Sequence, residues 1–368
     1  MKPSLRRVLR DEQTVQFGVH PRRAVMLTDL TPAVRAWIDT LDGTRELPQV
    51  LQHATSAGLD DAAAHALLAQ LSDQGVLDDA ASCSGPLREL PLLERDRLRP
   101  DLDALDLARD APVDALTTLT RRMEARVRVY GAGRVGAQIV ALLSASGVGH
   151  LRVFDPGPTR PEDLTPGGLT WADLTLPRDE AAAALAERLS AVPGCPPAPS
   201  ARALAGGPEL GDRSERPDLA ILAPVAPLDG ILVNELTTLE IPHLLVSAFE
   251  GHGTIGPLVR PGVTACLHCL DLTRRDRDPG WPIVTARLGG YPAGEIACGT
   301  ALAGAVAAEA AGHALAFLDG RTSIVTNGTV DVLPDWQRKR RSWAIHPQCR
   351  CIRNYPDSLR MVRVATCD

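Results

Sequence analysis

The chain has 368 residues, which is too long for one average domain and predicts two or three. Hydrophobic residues make up 45% of it and aromatic residues only 3%, so we expect a core built mainly from Leu, Val, Ile and Ala. The net charge of −6 argues against nucleic acid as the main partner.

The N-terminal segment carries no recognisable signal peptide. Residues 1–10 are charged, and no apolar segment follows them. No uninterrupted apolar run of the roughly 18 residues needed to span a membrane is visible. We therefore expect a cytoplasmic protein with no membrane partner, whose eight cysteines are reduced or bound to metal.

The first 80 residues are predicted to form a domain of their own. Short alternating stretches predict two strands, and the residues that follow have the spacing of helices with one buried face. The expected elements are strands at 14–19 and 24–28, helices at 31–40, 47–51 and 60–74, and a returning strand at 75–77. This set of elements is typical of a small winged-helix-like domain.

Residues 81–125 are predicted to be a linker with a helical segment, and residues 126–368 a second domain. In this second domain strands alternate with helices, which predicts an α/β fold with a mostly parallel, Rossmann-like sheet covered on both faces. The expected strands are 126–130, 151–155, 219–224, 243–248 and 254–259, and the expected helices are 136–146, 178–190, 228–239 and 299–318. The basic run Arg338–Arg341 is expected to be a solvated loop.

Three glycines lie where the first strand of the second domain meets its first helix. Gly131, Gly133 and Gly136 let the backbone turn tightly and come close to a phosphate or to a neighbouring element. The helix that follows offers N–H groups to anions. Asp155 ends the next strand, where a carboxylate can accept hydrogen bonds from ribose hydroxyls. The pattern predicts a nucleotide-binding fold, although the same glycines would also serve a turn that binds nothing.

Two closely spaced cysteine pairs predict a structural zinc site. Cys266 and Cys269 form one pair, and Cys349 and Cys351 form the other. Four thiolates complete a tetrahedral zinc ion and leave no open position for catalysis, so the metal would tie the C-terminal segment to the domain. The alternative ligands nearby are His268 and His346.

Together these residues resemble the ThiF/MoeB family of adenylyltransferases, which has the ubiquitin-activating-type fold. The resemblance covers roughly residues 115–355 and rests on the glycine loop, Asp155, Arg178, Asn234 and the two cysteine pairs. It implies a ThiF-type domain that binds ATP, with Arg178 at the position of a phosphate-contacting lysine. Members of the family adenylate the C-terminal carboxylate of a peptide or small protein, and the resemblance is compatible with a homodimer.

The sequence departs from this family at the residues that neutralise the phosphate charges of ATP. Pro166 falls where the family has a phosphate-contacting arginine, and Val225 falls where it has the aspartate that holds magnesium. Valine cannot bind Mg²⁺, and Asp229, four residues further on, is the carboxylate available to replace it. Because phosphoryl and adenylyl transfer depend on such neutralisation, these departures predict a domain that no longer adenylates.

The first domain resembles the RiPP recognition element, a small PqqD-like domain that binds leader peptides of ribosomally made, modified peptides. The resemblance rests on residues 15–18, 24–27, 30–32 and 41–44. Its fusion to a ThiF-like domain is similar to the leader-binding partners of YcaO cyclodehydratases, which form azolines and thiazoles. The resemblance implies a non-catalytic protein that binds a precursor peptide and delivers it to a YcaO-type partner, in the biosynthesis of azole-containing peptides or thiopeptides.

An exposed strand edge of the first domain is the expected peptide-binding surface, because an extended leader can add to it as a further strand. The residues expected to contact the peptide are Arg22, Arg23, Ala24, Val25, Met26 and Leu27. The arginines would suit an acidic leader, or they are ordinary solvated surface.

Two other functions remain open. An active adenylyltransferase would use ATP and Mg²⁺ despite Pro166 and Val225. A nicotinamide-dependent oxidoreductase would share the glycine loop, but no constellation of Lys, Tyr or His accompanies that loop and the predicted metal site is closed.

Overall fold

The computed structural model describes residues 1–2, 4–77, 90–108, 114–190, 216–224, 228–288 and 297–351. The chain divides into two compact units, Met1–Thr117 and Thr118–Asp368. Val225, the residue expected at the magnesium position, lies outside the described residues.

The first unit contains a small antiparallel sheet in the order β1-β2-β3 together with helices. Its described elements are β1 (Arg7–Asp11), β2 (Thr14–Phe17), β3 (Val25–Leu27), α1 (Pro32–Asp39), α2 (Leu47–Ser56), α3 (Asp61–Asp73) and α4 (Leu92–Asp106). A core of apolar residues from β2, α1 and the helices after it includes Phe17, Trp37 and Leu71. The Trp37 indole donates a hydrogen bond to the Val50 carbonyl at 2.9 Å, which ties α1 to α2.

The third strand of this sheet is not the one that we expected. Residues 75–77 form no strand, and the sheet is instead completed by β1, near the N-terminus. Gly75 ends the turn of α3 with a positive φ of 63°, and the buried Val76 accepts a hydrogen bond from the Lys2 amide. Every residue of β1 is exposed, so this strand lacks the alternation by which sequence patterns identify strands. The winged-helix-like domain itself stays a prediction.

The second unit is an α/β domain built on a seven-stranded sheet, counted over the described residues. Its elements are α5 (Ala115–Glu124, which crosses the unit boundary), β4 (Arg126–Tyr130), α6 (Gly136–Ala145), β5 (His150–Phe154), α7 (Arg178–Leu189), β6 (Leu219–Leu222), α8 (Gly230–Thr238), β7 (His243–Phe249), β8 (His252–Val259), α9 (Leu267–Arg277), α10 (Trp281–Leu288), α11 (Thr300–Leu318), β9 (Gly328–Val332) and β10 (Arg338–Ser342).

The expectation of a mostly parallel sheet is wrong for half of this domain. The strand order is β10-β9-β8-β7-β6-β4-β5. Strands β5, β4, β6 and β7 are parallel, whereas β8, β9 and β10 add antiparallel strands beyond β7. The turn from β7 to β8 consists of Glu250 and Gly251, both with positive φ, which is typical of a tight hairpin. The sheet is therefore mixed, and helices cover it on both faces as expected.

The basic run Arg338–Arg341 is an edge strand and not the solvated loop that we expected. It belongs to β10, which pairs with β9 and is fully exposed along its length. Three of its side chains form ion pairs or hydrogen bonds with other residues of the domain. Arg338 pairs with Glu309, Arg340 donates to the Ile324 carbonyl, and Arg341 pairs with Asp331.

Helix α11 lies against α6, β7 and β8. It is the single helix among the described residues that is long and apolar enough to cross a membrane, by length and composition. The expectation that the chain has no such segment was therefore too strict, because Glu309 interrupts the apolar run without lowering its mean hydropathy enough. Within the domain, Ala303, Val306 and Ala310 of this helix are fully buried in the core.

A buried ion pair fastens α5 to the end of α11. The Arg122 guanidinium donates from Nε and Nη2 to the two oxygens of Asp319, each at 2.7 Å. The side chains are 5% and 1% exposed, so both charges have lost contact with water. Each is stabilised instead by the opposite charge of its partner. Arg321 contacts the same carboxylate at 3.1 Å from a more exposed position.

Replacing Arg122 with alanine should lower the free energy of unfolding by about 3–5 kcal/mol, because the Asp319 carboxylate is left buried without its main partner. Urea denaturation followed by circular dichroism measures this change. The control is Arg321→Gln, which removes a partly exposed contact to the same carboxylate and should cost less than about 1 kcal/mol. Equal losses for the two variants would contradict the role assigned to Arg122.

Candidate functional site

The glycine loop at the carboxyl end of β4 packs tightly against the backbone that follows β6. Gly131 has a φ of +98°, and a Cβ there would lie 2.0 Å from the Ala223 carbonyl oxygen. A Cβ on Gly136 would lie 1.9 Å from the Gly131 carbonyl oxygen. The Gly133 carbonyl accepts the hydrogen bond from Ala137 in the first turn of α6. Close packing alone therefore explains Gly131 and Gly136, whether or not a nucleotide binds.

Asp155, at the carboxyl end of β5, is buried and fully engaged by the chain. Its Oδ2 accepts a hydrogen bond from the Ala132 amide at 2.8 Å, within the glycine loop. Arg178, in the first turn of α7, donates to the same oxygen from Nε and to Oδ1 from Nη2, each at 2.9 Å. The Gly157 amide adds a longer contact to Oδ1 at 3.4 Å. The carboxylate expected to bind ribose thus has hydrogen bonds from the protein on both oxygens.

The Arg178 guanidinium also donates all of its described hydrogen bonds to other groups of the protein. Besides Asp155, it donates from Nη1 to the Pro158 carbonyl at 2.9 Å and to Asp163 at 3.3 Å. Burial disfavours the charged guanidinium, but hydrogen bonding and charge attraction from Asp155 and Asp163 together outweigh burial and raise the pKa of Arg178. A Cβ on Gly157 would lie 2.5 Å from Nη2, so glycine at this position makes room for the arginine.

The other residues of the predicted nucleotide site have different surroundings. Asp163 ends a short 3-10 helix and accepts a hydrogen bond from the Arg160 amide, and Pro166 is exposed. Asp229 is the N-cap of α8 and accepts a hydrogen bond from the Ile231 amide at 2.8 Å, so its side chain already has a structural role. Asn234 of α8 lines a groove that is described below.

The four predicted metal ligands come together, as the sequence predicted. The sulfur atoms of Cys266 and Cys269 are 3.7 Å apart, those of Cys266 and Cys349 are 3.6 Å apart, and those of Cys269 and Cys351 are 3.7 Å apart. All four sulfurs lie within 4.8 Å of one another. A zinc ion with four bonds of about 2.3 Å to sulfur requires tetrahedron edges of about 3.8 Å, so the cluster has the dimensions of a zinc site.

Local structure prepares these thiols for a metal. Cys266 is the N-cap of α9 and Cys269 lies in its first turn, where helix N–H groups favour negative charge. Hydrogen bonds among the thiols hold the pKa of Cys269 below its usual range and raise the pKa of Cys266 and of Cys351, so Cys269 is the ligand most readily ionised. The alternative ligand His346 is instead bonded to Asp276 at 2.8 Å, and His268 is exposed. The cluster can therefore hold a metal ion such as zinc with four cysteines.

A groove of about 1020 Å³ runs from the carboxyl end of β6 to the cysteine cluster. Helices α8 and α9 and strands β7 and β8 contribute to its walls. Its size suits a small ligand or a stretch of peptide. Polar and charged side chains at its surface include Asn234, Ser247, Asp271 and Arg274.

The predicted peptide-binding residues lie on or beside β3, an edge strand among the described residues of the first unit. Val25 and Leu27 are half-buried, Ala24 precedes the strand, and Met26 is 53% exposed. Arg22 is exposed, whereas Arg23 donates hydrogen bonds to the carbonyls of Gln74 and Gly75 at the end of α3. Among the described residues the Arg22 side chain makes no hydrogen bond, whereas that of Arg23 is bonded to the end of α3, so the two differ as contacts for an acidic leader.

The residues that stack beside the metal cluster form no recognisable pattern in the sequence. Arg274 contacts the rings of Trp281 and Trp343, and Arg341 also contacts Trp343. These four side chains come from α9, α10, and the segment at and after β10. Only the placement of those elements in space brings them together, and the single available signal was the scarcity of tryptophan, with five in the chain.

Comparison with known proteins agrees with this fold. The sequence profile of the ThiF family matches residues 110–351. E. coli MccB with AMPCPP and MccA has a TM-score of 0.70 at 13% identity, over 96% of this chain and 98% of MccB. E. coli MccB with ATP gives 0.67 at 13% identity, over 95% and 98%. PaaA gives 0.67 at 16% identity, over 94% and 100%. A search of curated protein sequences gives no match.

The purified chain should contain one zinc ion, measured by inductively coupled plasma mass spectrometry. Cys269→Ser should lose most of that zinc and lower the melting temperature, because three thiolates hold the metal less tightly and the C-terminal segment loses its tie. Cys298→Ser is the control, since Cys298 is a buried cysteine outside the cluster. Full zinc content in the Cys269 variant would contradict the ligand set.

Proposed function

Because the chain belongs to the ThiF family, we propose that it binds a precursor peptide without adenylating it and delivers that peptide to a YcaO-type cyclodehydratase. The products would be azole-containing peptides or thiopeptides. The observation that carries the proposal is the Asp155–Arg178 pair, which occupies both groups on which a bound nucleotide would depend.

An adenylating site needs a carboxylate for the ribose and cations for the phosphates. Here the carboxylate and the cation at those positions bind each other with two hydrogen bonds at 2.9 Å. Opening a largely buried pair leaves two unpaired charges, and a nucleotide would have to compensate for that cost. Pro166 adds no charge at the arginine position, and Asp229 is occupied at the N-terminus of α8.

The edge of β3 offers backbone groups to an extended peptide. Gly18 donates to the Arg6 carbonyl, so along β2 the groups of Gln16 face β1 and those of Val15 and Phe17 face β3. Val15 and Phe17 pair with Leu27 and Val25, which leaves the amide and carbonyl of Met26 facing away from the sheet. A leader strand would bond to Met26 and place its side chains beside this edge.

The comparisons support a peptide as the partner. E. coli MccB, whose fold matches nearly the whole of this chain, has been solved with the MccA peptide bound. The two chains are similar over both units and not over the ThiF region alone, since the alignment covers 96% of this chain. The YcaO partner rests on the resemblance of the first domain to the RiPP recognition element.

Active adenylation is the second candidate. It is favoured by the glycine loop, which retains its strand–turn–helix setting, and by the similarity to MccB solved with ATP. In this alternative, Arg178 would leave Asp155 when a nucleotide arrives.

Met26→Pro should weaken binding of an extended, acidic leader-like peptide by about tenfold or more. Proline removes the outward amide of β3 without removing a hydrogen bond to β2. Fluorescence polarisation of the labelled peptide with the full-length chain measures the affinity. The matched control is Leu9→Pro on the opposite edge of the sheet, where Leu9 is 55% exposed and its amide also faces away from β2. An equal loss of affinity in the two proline variants would contradict binding of the peptide along β3.

ATP–pyrophosphate exchange separates the two candidate functions. With MgATP and the same peptide, the full-length chain should show exchange no faster than the rate without protein, because Arg178, the cation expected at the phosphates, is paired with Asp155. An adenylating enzyme of known exchange activity, assayed in parallel, serves as the positive control. Exchange that depends on the peptide would overturn the non-catalytic proposal in favour of the second candidate.

A further inference from the structure

An alternating stack of indole and guanidinium groups borders the groove of the second unit. The Arg274 Cζ lies 5.1 Å from the centroid of the Trp281 ring and 5.7 Å from that of Trp343. The Arg341 Cζ lies 5.6 Å from the Trp343 ring. Such contacts are attractive within about 6 Å. A guanidinium that lies over an aromatic ring can still donate hydrogen bonds from its N–H groups.

The two arginines of this stack differ in their partners. Arg341 is neutralised by Asp331 through contacts of 2.7 Å and 2.8 Å. The acid nearest to Arg274 is Asp271, one turn earlier on α9, at 3.7 Å from Nη1, which is too long for a hydrogen bond. Across the described part of the chain, no acceptor comes within hydrogen-bond distance of the Arg274 guanidinium. Its charge is therefore held by aromatic faces and not by a bonded carboxylate.

The surroundings of Arg274 favour the arrival of an anion. The side chain is half-buried and lines the groove. Burial lowers the pKa of Arg274, and Asp271 offsets that effect only in part. The carboxylate of Asp271 is itself 53% exposed and well solvated, so it competes weakly for the guanidinium. A ligand carboxylate would supply the charge-assisted hydrogen bonds that Arg274 lacks.

We propose that Arg274 is a specificity-determining residue that binds the carboxylate of a Glu or Asp side chain in an extended peptide lying in this groove. The inference rests on the proposed function, because it takes the occupant to be a segment of the same precursor peptide. The stack holds the guanidinium in one orientation, so little conformational freedom is lost on binding. Leu245, Phe249 and Leu270 give apolar contacts in the same groove, and Asn234 and Ser247 give polar ones.

This second contact has a consequence for delivery of the peptide. A leader bound at β3 and an acidic residue bound at Arg274 would be two attachments on one chain, and the second would raise the residence time of the peptide through its effective concentration. An acidic residue elsewhere in the same peptide would then be a requirement for tight binding. The chemistry recognised is a carboxylate on an extended backbone.

The test uses the full-length protein labelled with ¹⁵N at its tryptophan indoles. Two capped pentapeptides, acetyl-Gly-Val-Glu-Val-Gly-amide and the same peptide with Gln in place of Glu, are titrated and followed by two-dimensional NMR. The indole signals of Trp281 and Trp343 are assigned from single substitutions to Phe. The Glu peptide should shift both signals, with an affinity about tenfold higher than that of the Gln peptide.

Substitutions of arginine then identify the anion site. Arg274→Gln should abolish the preference for Glu and leave the affinity for the Gln peptide unchanged, whereas Arg274→Lys should keep part of the preference because the charge remains. The control is Arg277→Gln, an exposed arginine of the same helix, which should behave as the unmodified chain. Zinc content and the remaining indole signals report whether each variant is folded.

Equal binding of the two peptides, a preference that survives in Arg274→Gln, or no binding of either peptide up to its solubility limit would each overturn the inference. Leader binding at β3 is measured separately and does not depend on these pentapeptides. Loss of the preference for Glu with intact leader binding would contradict the role of Arg274 but not the proposed function. A preference for Glu without leader binding would contradict the proposed function, although Arg274 would still be shown to bind acidic peptides.

Discussion

The Asp155 carboxylate is the point at which the parallel half of the second unit is held together. It receives the Ala132 amide from the glycine loop and the guanidinium of Arg178 from α7, so one side chain joins the ends of β4 and β5 to the start of a helix. A Cβ on Gly157 would lie 2.5 Å from Arg178 Nη2, so a larger residue there would displace this guanidinium. A position suited to binding ribose is thereby used for internal support.

The contacts that stabilise the fold of this domain do not depend on a bound nucleotide. The tight glycine contacts at Gly131 and Gly136 are explained by the packing of β4, α6 and the backbone after β6, and they need no ligand. The cysteine cluster likewise joins the start of α9 to the C-terminal segment. Both features preserve a ThiF-type scaffold, while the groove and the edge of β3 leave surfaces that suit an extended peptide.

Sequence patterns could predict those parts of the molecule that depend on short-range spacing. The cysteine pairs, the glycine loop and the central strands are of this kind, since each follows from residues close together in the chain. The strand β8 was predicted at 254–259 but its antiparallel direction was not, and β10 was missed because it is wholly exposed and resembles a charged loop. The Asp155–Arg178 pair was missed because it depends on the turn after β5, and the stack at Arg274 because its members come from separate elements.

Calorimetric titration of MgATP into the full-length chain tests the central claim most directly. If Asp155 and Arg178 remain paired, no binding should be detected at millimolar nucleotide, and Arg178→Ala should not create a tight site because the phosphate cation is then missing as well. Saturable binding at micromolar MgATP, lost on substitution of Asp155 with Asn, would show that the pair opens for a nucleotide and would contradict the account.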